Sequence, residues 1–301
     1  MLHNDREKFV QLVTAVSDHT GIDKALIEKD YFVTLFLSRL RVREPLLVFK
    51  GDTCLSKCFK LIKRFSEDID INLEGVGLLT QSRKKLVKKH IIGTIDELDL
   101  ALSNPEQVNS GMDHNTYRIS YPAAFVNASL KQHMEVEPFF IIEAFPTVEM
   151  SASSLIYDYL KEKALDAIVS EYGLEPFDIR VQTLERTFVD KVFAVCDYHL
   201  NEKTNAQSRH LYDIHKILPH MTLDGGLRSF VEDVRKVREG KRDCPSADKE
   251  VSLPGTIERI IAEKTYKNDY DAVTALLLYE TVSYDETVRS MRTIADWLKQ
   301  R

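Results

Sequence analysis

Apolar positions recur with two different periods along this chain, and the change of period organises it. Ile27, Tyr31 and Leu35 stand four residues apart, as do Phe32, Phe36 and Leu40. Such spacing predicts one helix, apolar over so broad a surface that it must be buried on more than one side. Asp23 is its expected N-cap, and Pro45 breaks the pattern. Leu46–Phe49 is a short apolar run entering a turn at Lys50-Gly51, which predicts a strand. Helical spacing returns from Thr53 to Lys63 through Leu55, Phe59 and Ile62. Phe65–Leu73 then alternates, with Asp68 and Asp70 set between Ile69 and Ile71, as a strand does. Residues 83–89 form a basic helical segment, and Tyr117–Tyr121, Val126–Lys131 and Phe139–Phe145 are expected to be further strands. From about residue 151 the 3.6-residue period dominates, with Leu184, Phe188, Val192 and Val195 on one helix and Leu211, Ile214 and Leu218 on another.

The pattern predicts an α/β (α+β) fold: N-terminal helices over residues 1–44 packing on a mixed-sheet core at 45–150, then a helical C-terminal half at 151–301. Arg235–Lys249, charged and containing Gly240 and Pro245, is expected to be a surface loop. Composition narrows the function. A chain of 301 residues with 44% hydrophobic positions, 11 glycines and 9 prolines is globular rather than fibrous or disordered. Its net charge of −6 excludes a uniformly basic nucleic-acid coat, so any such contact must use local patches. No apolar run approaches the roughly 20 residues of a membrane helix, and Tyr31–Leu37 is too short and too far in for a signal peptide. No membrane association is expected, and a cytoplasmic setting is. The 4 cysteines do not make a disulfide scaffold in so long a chain. Cys54 and Cys58 lack further ligands at zinc-like spacing, and all four are expected to be small buried hydrophobes.

The candidate chemistry lies in two neighbouring stretches, Phe49–Lys57 and Arg64–Ile71. On a strand Ser66, Asp68 and Asp70 share one face. Carboxylates so placed repel unless a cation neutralises them, and Mg²⁺ does so while keeping sites for phosphate oxygens. Gly51 lets the backbone approach a phosphate, and a helix beginning near Thr53 aims N–H groups at it. Alone, an Asp-x-Asp is more often a solvated strand face; the turn and helix before it favour a phosphate and metal site. Glu143, within Phe-Phe-Ile-Ile-Glu-Ala-Phe, is the candidate third carboxylate, either paired or metal-bound or else reaching solvent at a strand end.

These residues resemble the paired motifs of the AbiEii-type nucleotidyltransferase toxins, the MenT toxins among them, within the DNA polymerase beta-like nucleotidyltransferase superfamily. Ile27-Glu28-Lys29-Asp30-Tyr31 is similar to the segment preceding that core, and Lys191 and Asp213 to the two later motifs. The resemblance implies a polymerase beta-like core and metal-dependent transfer of a nucleoside monophosphate from an NTP, with pyrophosphate leaving. It implies Asp68 and Asp70 as ligands of Mg²⁺ or Mn²⁺. It implies nucleotide contacts from Lys50, Gly51, Thr53, Ser66 and Lys191, and a catalytic or orienting role for Asp213. It also implies an RNA acceptor, the tRNA 3′ end first, a cognate antitoxin as partner, and regulation by phosphorylation at Ser66. The usual Gly-Gly turn is Gly51-Asp52 here, which adds a carboxylate beside the expected phosphate site.

Arg83, Lys84, Lys85, Lys88 and Lys89, and the cluster Arg235, Lys236, Arg238, Lys241 and Arg242, are either RNA contacts or ordinary solvated surfaces. Arg209 either contacts phosphate or pairs with Asp213 one helical turn away. Two further functions compete with RNA modification: nucleotidyl transfer to a protein or small molecule, and nucleotide binding without turnover.

Overall fold

The computed structural model describes residues 1–64, 66, 68–75, 79–109, 112–128 and 130–300. Phe65 and Glu67 of the expected strand, and Ser129 of another, lie outside the described residues. The chain divides into two units: Met1–Phe59 with Ser66–Gln182, and Lys60–Phe65 with Thr183–Arg301.

The first unit is built on a seven-stranded mixed sheet of described residues, in the order β3-β4-β5-β2-β1-β7-β6. The strands are β1 (Leu47–Lys50), β2 (Asp68–Leu73), β3 (Ala101–Leu102), β4 (Tyr117–Ser120), β5 (His133–Pro138), β6 (Thr147–Ala152) and β7 (Phe177–Gln182). β1 runs antiparallel to β2 and parallel to β7, and β2 runs parallel to β5. Period-two alternation gives the middle of the sheet two unlike faces. Phe49, Ile69, Ile71, Met134, Val136 and Ile119 are fully buried in one continuous core, together with residues of α1 (Arg6–Thr20), α2 (Lys24–Arg43) and α4 (Gln81–Glu97). Asp68, Asp70, Glu135 and Glu137 alternate with them on the other face.

Asp23 caps α2 as expected, its side chain accepting from Ala25 N. α2 buries residues around most of its circumference, including the charged Glu28 and Lys29. The short helix α3 (Gly51–Lys57) ends well before Lys63, because Lys60 takes a positive φ of 56°. The expected strand over Val126–Lys131 is absent among its described residues: Ala124 N and Phe125 N just upstream donate to the Glu28 carboxylate, and Lys131 O accepts from Lys29. Phe139–Phe145 is also not a strand. Pro138 ends β5, Phe140 N donates to Asp113 O, and Asn72 reaches the Ile142 carbonyl. The chain then re-enters the sheet as β6, whose antiparallel pairing with β7 carries this unit on to Gln182, past residue 150, with α5 (Leu155–Glu162) and α6 (Asp166–Tyr172) between the two strands.

The second unit is helical, with α7 (Leu184–Leu200), α8 (Arg209–Ile217), α9 (Gly225–Arg238), α10 (Leu253–Glu263) and a last helix, Tyr284–Lys299. Phe188, Val192, Val195, Leu211 and Ile214 are buried as their spacing predicts. The Arg235–Lys249 region is not a plain surface loop. α9 continues to Arg238, Ser246 and Ala247 are fully buried, and Arg235 donates to the carbonyls of Ser246, Asp248 and Val251. No helix among the described residues is long and apolar enough to cross a membrane.

Candidate active site

On the polar face of the first unit, strand register assembles two rows of charge. One row crosses β4, β5 and β2 as Arg118, Glu135 and Asp68; the next crosses β5, β2 and β1 as Glu137, Asp70 and Lys50. Cross-strand partners lie roughly 5 Å apart, so each row is a set of neighbours. Glu137 is the carboxylate that stands beside Asp70. Glu143, the expected third acid, lies in irregular backbone and is exposed, because the segment carrying it never joins the sheet. The alternation of Met134 and Val136 with Glu135 and Glu137 is the sequence signal that could have found the true neighbour.

Asp70 carries the electrostatic cost of this arrangement. Burial, and then the charges of Asp52, Glu137 and Asp68, push its carboxyl up to about 7 against the opposing pull of Lys50. Glu137 shifts the other way: His114, 4.0 Å away, holds it below the usual carboxylate range, and Thr116 donates to it at 2.8 Å. Lys50 lies over the Phe139 ring, 5.0 Å from its centroid, and His114 meets the edge of the same ring. Asp52 therefore adds to the acidic set instead of facing away from it.

Gly51 shows why glycine stands at the turn. Its φ is +76°, a region in which L side chains are strained, and a Cβ built there would fall 2.0 Å from Asp70 Oδ2 and 2.8 Å from Asp70 Cγ. Only a residue without a side chain lets the β1–α3 turn lie against that carboxylate. A divalent cation fits these residues: the donors are oxygens, their mutual repulsion is large enough to raise Asp70, and the glycine leaves room over the Asp70 oxygen.

Thr53, almost fully buried on α3, joins the two motifs. Its hydroxyl lies 2.6 Å from the Asp68 carbonyl, which can only accept, so the Thr53 proton points there. Ser66 Oγ, 2.8 Å from the same Thr53 oxygen, must then be the donor in that contact, and its remaining lone pairs are available to another donor. α3 itself is only 7 residues long, so what it offers phosphate is a close backbone rather than a long helix dipole.

The later motifs form a cluster in the second unit. Asp213 is fully buried; Arg64 Nε and Nη2 each reach it at 2.7 Å, on Oδ1 and Oδ2, and Lys191 Nζ reaches Oδ2 at 2.7 Å. The forked guanidinium fixes the carboxylate in its plane. The chain holding Arg64 is pinned on both sides. Lys63 N donates to the Tyr212 hydroxyl, which donates to Glu280, and Tyr279 N donates to Lys63 O. Arg64 was not a sequence candidate, since its partner lies 149 residues away. Arg209 is half-buried on α8.

Most of the expected RNA contacts on α4 have structural partners. Arg83 pairs with Glu44, Lys84 is buried against Asp113 at 2.6 Å, and Lys88 donates to Val108 O; Lys85 and Lys89 are exposed. In the second basic cluster, Arg238 pairs with Asp190 and Asp197. Patterns of charge in sequence do not reveal which cations the fold consumes.

Comparison with known proteins adds to this geometry. The sequence profile described as "Nucleotidyl transferase AbiEii toxin, Type IV TA system" matches residues 35–294. Among solved structures, the fold is similar to MenT4, a nucleotidyltransferase toxin from Mycobacterium tuberculosis H37Rv, with a TM-score of 0.60 at 19% identity over 96% of this chain and 90% of that one. A search of curated protein sequences finds no match.

Proposed function

The chain belongs to the AbiEii nucleotidyltransferase toxin family, and from that premise we propose that it transfers a nucleoside monophosphate from an NTP to a hydroxyl of an RNA, at the 3′ end of a tRNA. It is a nucleotidyltransferase and the toxin of a type IV toxin–antitoxin system, which implies an NTP substrate and a cognate antitoxin. The proposed setting is the cytoplasm.

The observation that carries the reading is the acidic row around Asp70 with Gly51 lying against it. Asp68 and Asp70 are the proposed ligands of Mg²⁺ or Mn²⁺, with Asp52 and Glu137 adding negative charge beside them. Such an ion, when bound, lowers the charge barrier at the α-phosphorus and stabilises departing pyrophosphate. Lys50, Gly51, Thr53 and Ser66 are the proposed nucleotide contacts of the first unit. Lys191, held by Asp213 together with Arg64, is the second unit's proposed counter-charge to the triphosphate, a role that rests on the motif resemblance. The acceptor oxygen attacks the α-phosphorus in line, the bond from that phosphorus to the bridging oxygen breaks, and the hydroxyl proton passes to a base. Glu137, ionised and on the same face as Asp70, is proposed as that base, taking the third-carboxylate place expected of Glu143. A phosphate on Ser66 would bring about two negative charges beside Asp68 and Asp70 and oppose NTP binding.

The test is label transfer from each α-³²P NTP to total tRNA with Mg²⁺, comparing the native chain with Asp68→Ala. Label on tRNA with the native chain alone supports the whole reading. Asp68-dependent pyrophosphate release only with a cell extract lacking RNA assigns the acceptor to a protein or small molecule. Absence of turnover in both assays leaves a nucleotide-binding module and refutes the enzymatic proposal for this chain.

A further inference from the structure

Glu28-Lys29-Asp30 on α2 is the motif that the proposed chemistry leaves without a role, and all three side chains are directed into the first unit. Glu28, fully buried, accepts from Ala124 N at 2.6 Å and Phe125 N at 3.0 Å. Lys29, also buried, donates to Lys131 O at 2.8 Å. Asp30 receives Lys57 of α3 and the backbone N–H of Leu155. Burying an acid and a base in succession is costly unless each finds partners, and two of these three spend that cost on fixing the segment that ends at Lys131.

Lys131 then meets Glu135, as do Arg118 Nε at 3.0 Å and His133 Nε2 at 3.3 Å. The Glu135 carboxylate is 7% exposed, whereas the Arg118 and Lys131 side chains are 44% and 47% exposed. One buried carboxylate therefore orders two half-exposed cations and a histidine. Register sets this cluster beside the acidic row: Glu135 is the cross-strand partner of Asp68, and Arg118 of Glu135, so the Arg118 backbone lies roughly 10 Å from that of Asp68. The glycine turn and Lys50 are on the opposite side of β2.

We propose that Arg118, Lys131 and His133 form an anion subsite for a backbone phosphate of the acceptor polynucleotide, ordered by Glu135 and held in place by Glu28 and Lys29. Its ligand is a phosphoryl oxyanion. The phosphate could come from the acceptor strand or from the triphosphate of the NTP, and the position across β2 from Gly51 favours the acceptor. The inference takes its catalytic meaning from the nucleotidyl-transfer reading, while the binding it predicts needs no turnover.

The full chain is titrated with a fluorescein-labelled single-stranded oligoribonucleotide at several salt concentrations, and separately with a non-hydrolysable ATP analogue and Mg²⁺. Arg118→Gln/Lys131→Gln is expected to weaken the oligoribonucleotide at least tenfold and to reduce its salt slope by about 0.7, the loss of one single-strand phosphate contact. ATP-analogue affinity is expected to stay within twofold. Because that variant strips the partners from a buried carboxylate, Glu135→Gln supplies the opposite perturbation: it retains an acceptor oxygen, removes the negative charge, and is expected to tighten the oligoribonucleotide severalfold at low salt. Neutralising a carboxylate favours any strand passing nearby, so the gain must vanish when Arg118→Gln/Lys131→Gln is added to Glu135→Gln; a gain that persists in the triple variant overturns the subsite. Unchanged or weaker RNA binding by a folded Glu135→Gln, or equal loss of RNA and ATP analogue in the double variant, overturns the proposal. Loss of Asp68-dependent turnover in the native chain with RNA binding that follows these expectations would refute the catalytic reading alone.

Discussion

Gly51→Ala separates backbone strain from steric intrusion at the proposed metal site. Alanine at φ +76° pays the left-handed penalty, about 1–2 kcal/mol. Gly173, at φ +64° with open space where its Cβ would be, pays the same penalty and nothing more. At Gly51 the new methyl would also stand 2.0 Å from Asp70 Oδ2 and 3.0 Å from Asp70 Cβ. Rotating the carboxylate relieves the first contact but not the second, so the Lys50–Asp70 register of β1 and β2 must also give way. Both variants should lose a few degrees in thermal midpoint, since each kcal/mol shifts a domain of this size by about 2–4 °C. Only Gly51→Ala should lose activity, by about a hundredfold, the usual consequence of displacing a catalytic group by about 1 Å. The assay is Mg²⁺-dependent pyrophosphate release at saturating NTP, alongside melting curves. Equal activity in folded Gly51→Ala and Gly173→Ala would refute the argument that the turn is shaped around Asp70.

Three further outcomes follow from the same geometry. With Asp70 pushed up to about 7, its folded form holds a proton that the unfolded chain releases near pH 4. Its contribution to metal-free stability therefore falls as pH rises between those values, and Mg²⁺ affinity, which competes with that proton, should rise about fivefold from pH 6 to 7. Asp52→Asn, removing one of the repelling charges, should move this limb toward lower pH, as read by Mg²⁺ titration of activity; a limb that does not move would refute the coupling. Asp213→Asn should cost about 3–5 kcal/mol in urea unfolding, because Arg64 and Lys191 would be left buried without their carboxylate. A loss below about 1 kcal/mol would show that the pair is not desolvated as its burial implies. Thr53→Val, which deletes the hydroxyl joining Ser66 to the Asp68 carbonyl, should cost about 1 kcal/mol and raise KM for NTP more than it lowers kcat; an unchanged KM would remove Ser66 from the nucleotide contacts.

Local physics makes much of this protein legible in its sequence. The four-residue spacing in α2 and its Asp23 cap, the β1–Gly51 turn, and the alternation that turns Asp68 and Asp70 to one face depend only on residues within a few positions of one another. Periodicity expresses which face must be buried, and a glycine at positive φ expresses a turn, so both can be read in order along the chain. Helices were expected to cover the N-terminal and C-terminal parts for the same reason.

Tertiary structure decided everything that depends on which neighbour lies across a strand or a helix. Glu137 became the acid beside Asp70, and Glu143 did not, because β5 ends at Pro138 and pairs in parallel with β2. Arg64 found Asp213 across 149 residues of sequence, a separation at which no spacing rule operates. Val126–Lys131, apolar enough to suggest a strand, instead yields backbone groups at its flank and its end to Glu28 and Lys29. Arg83, Lys84, Lys88 and Arg238 read in sequence as either nucleic-acid contacts or solvated surface but are neutralised or tied internally, whereas Arg118 and Lys131, unremarked in sequence, are ordered beside the acidic face. A cation's partner is chosen by three-dimensional distance and desolvation, and neither is encoded in its immediate neighbours along the chain.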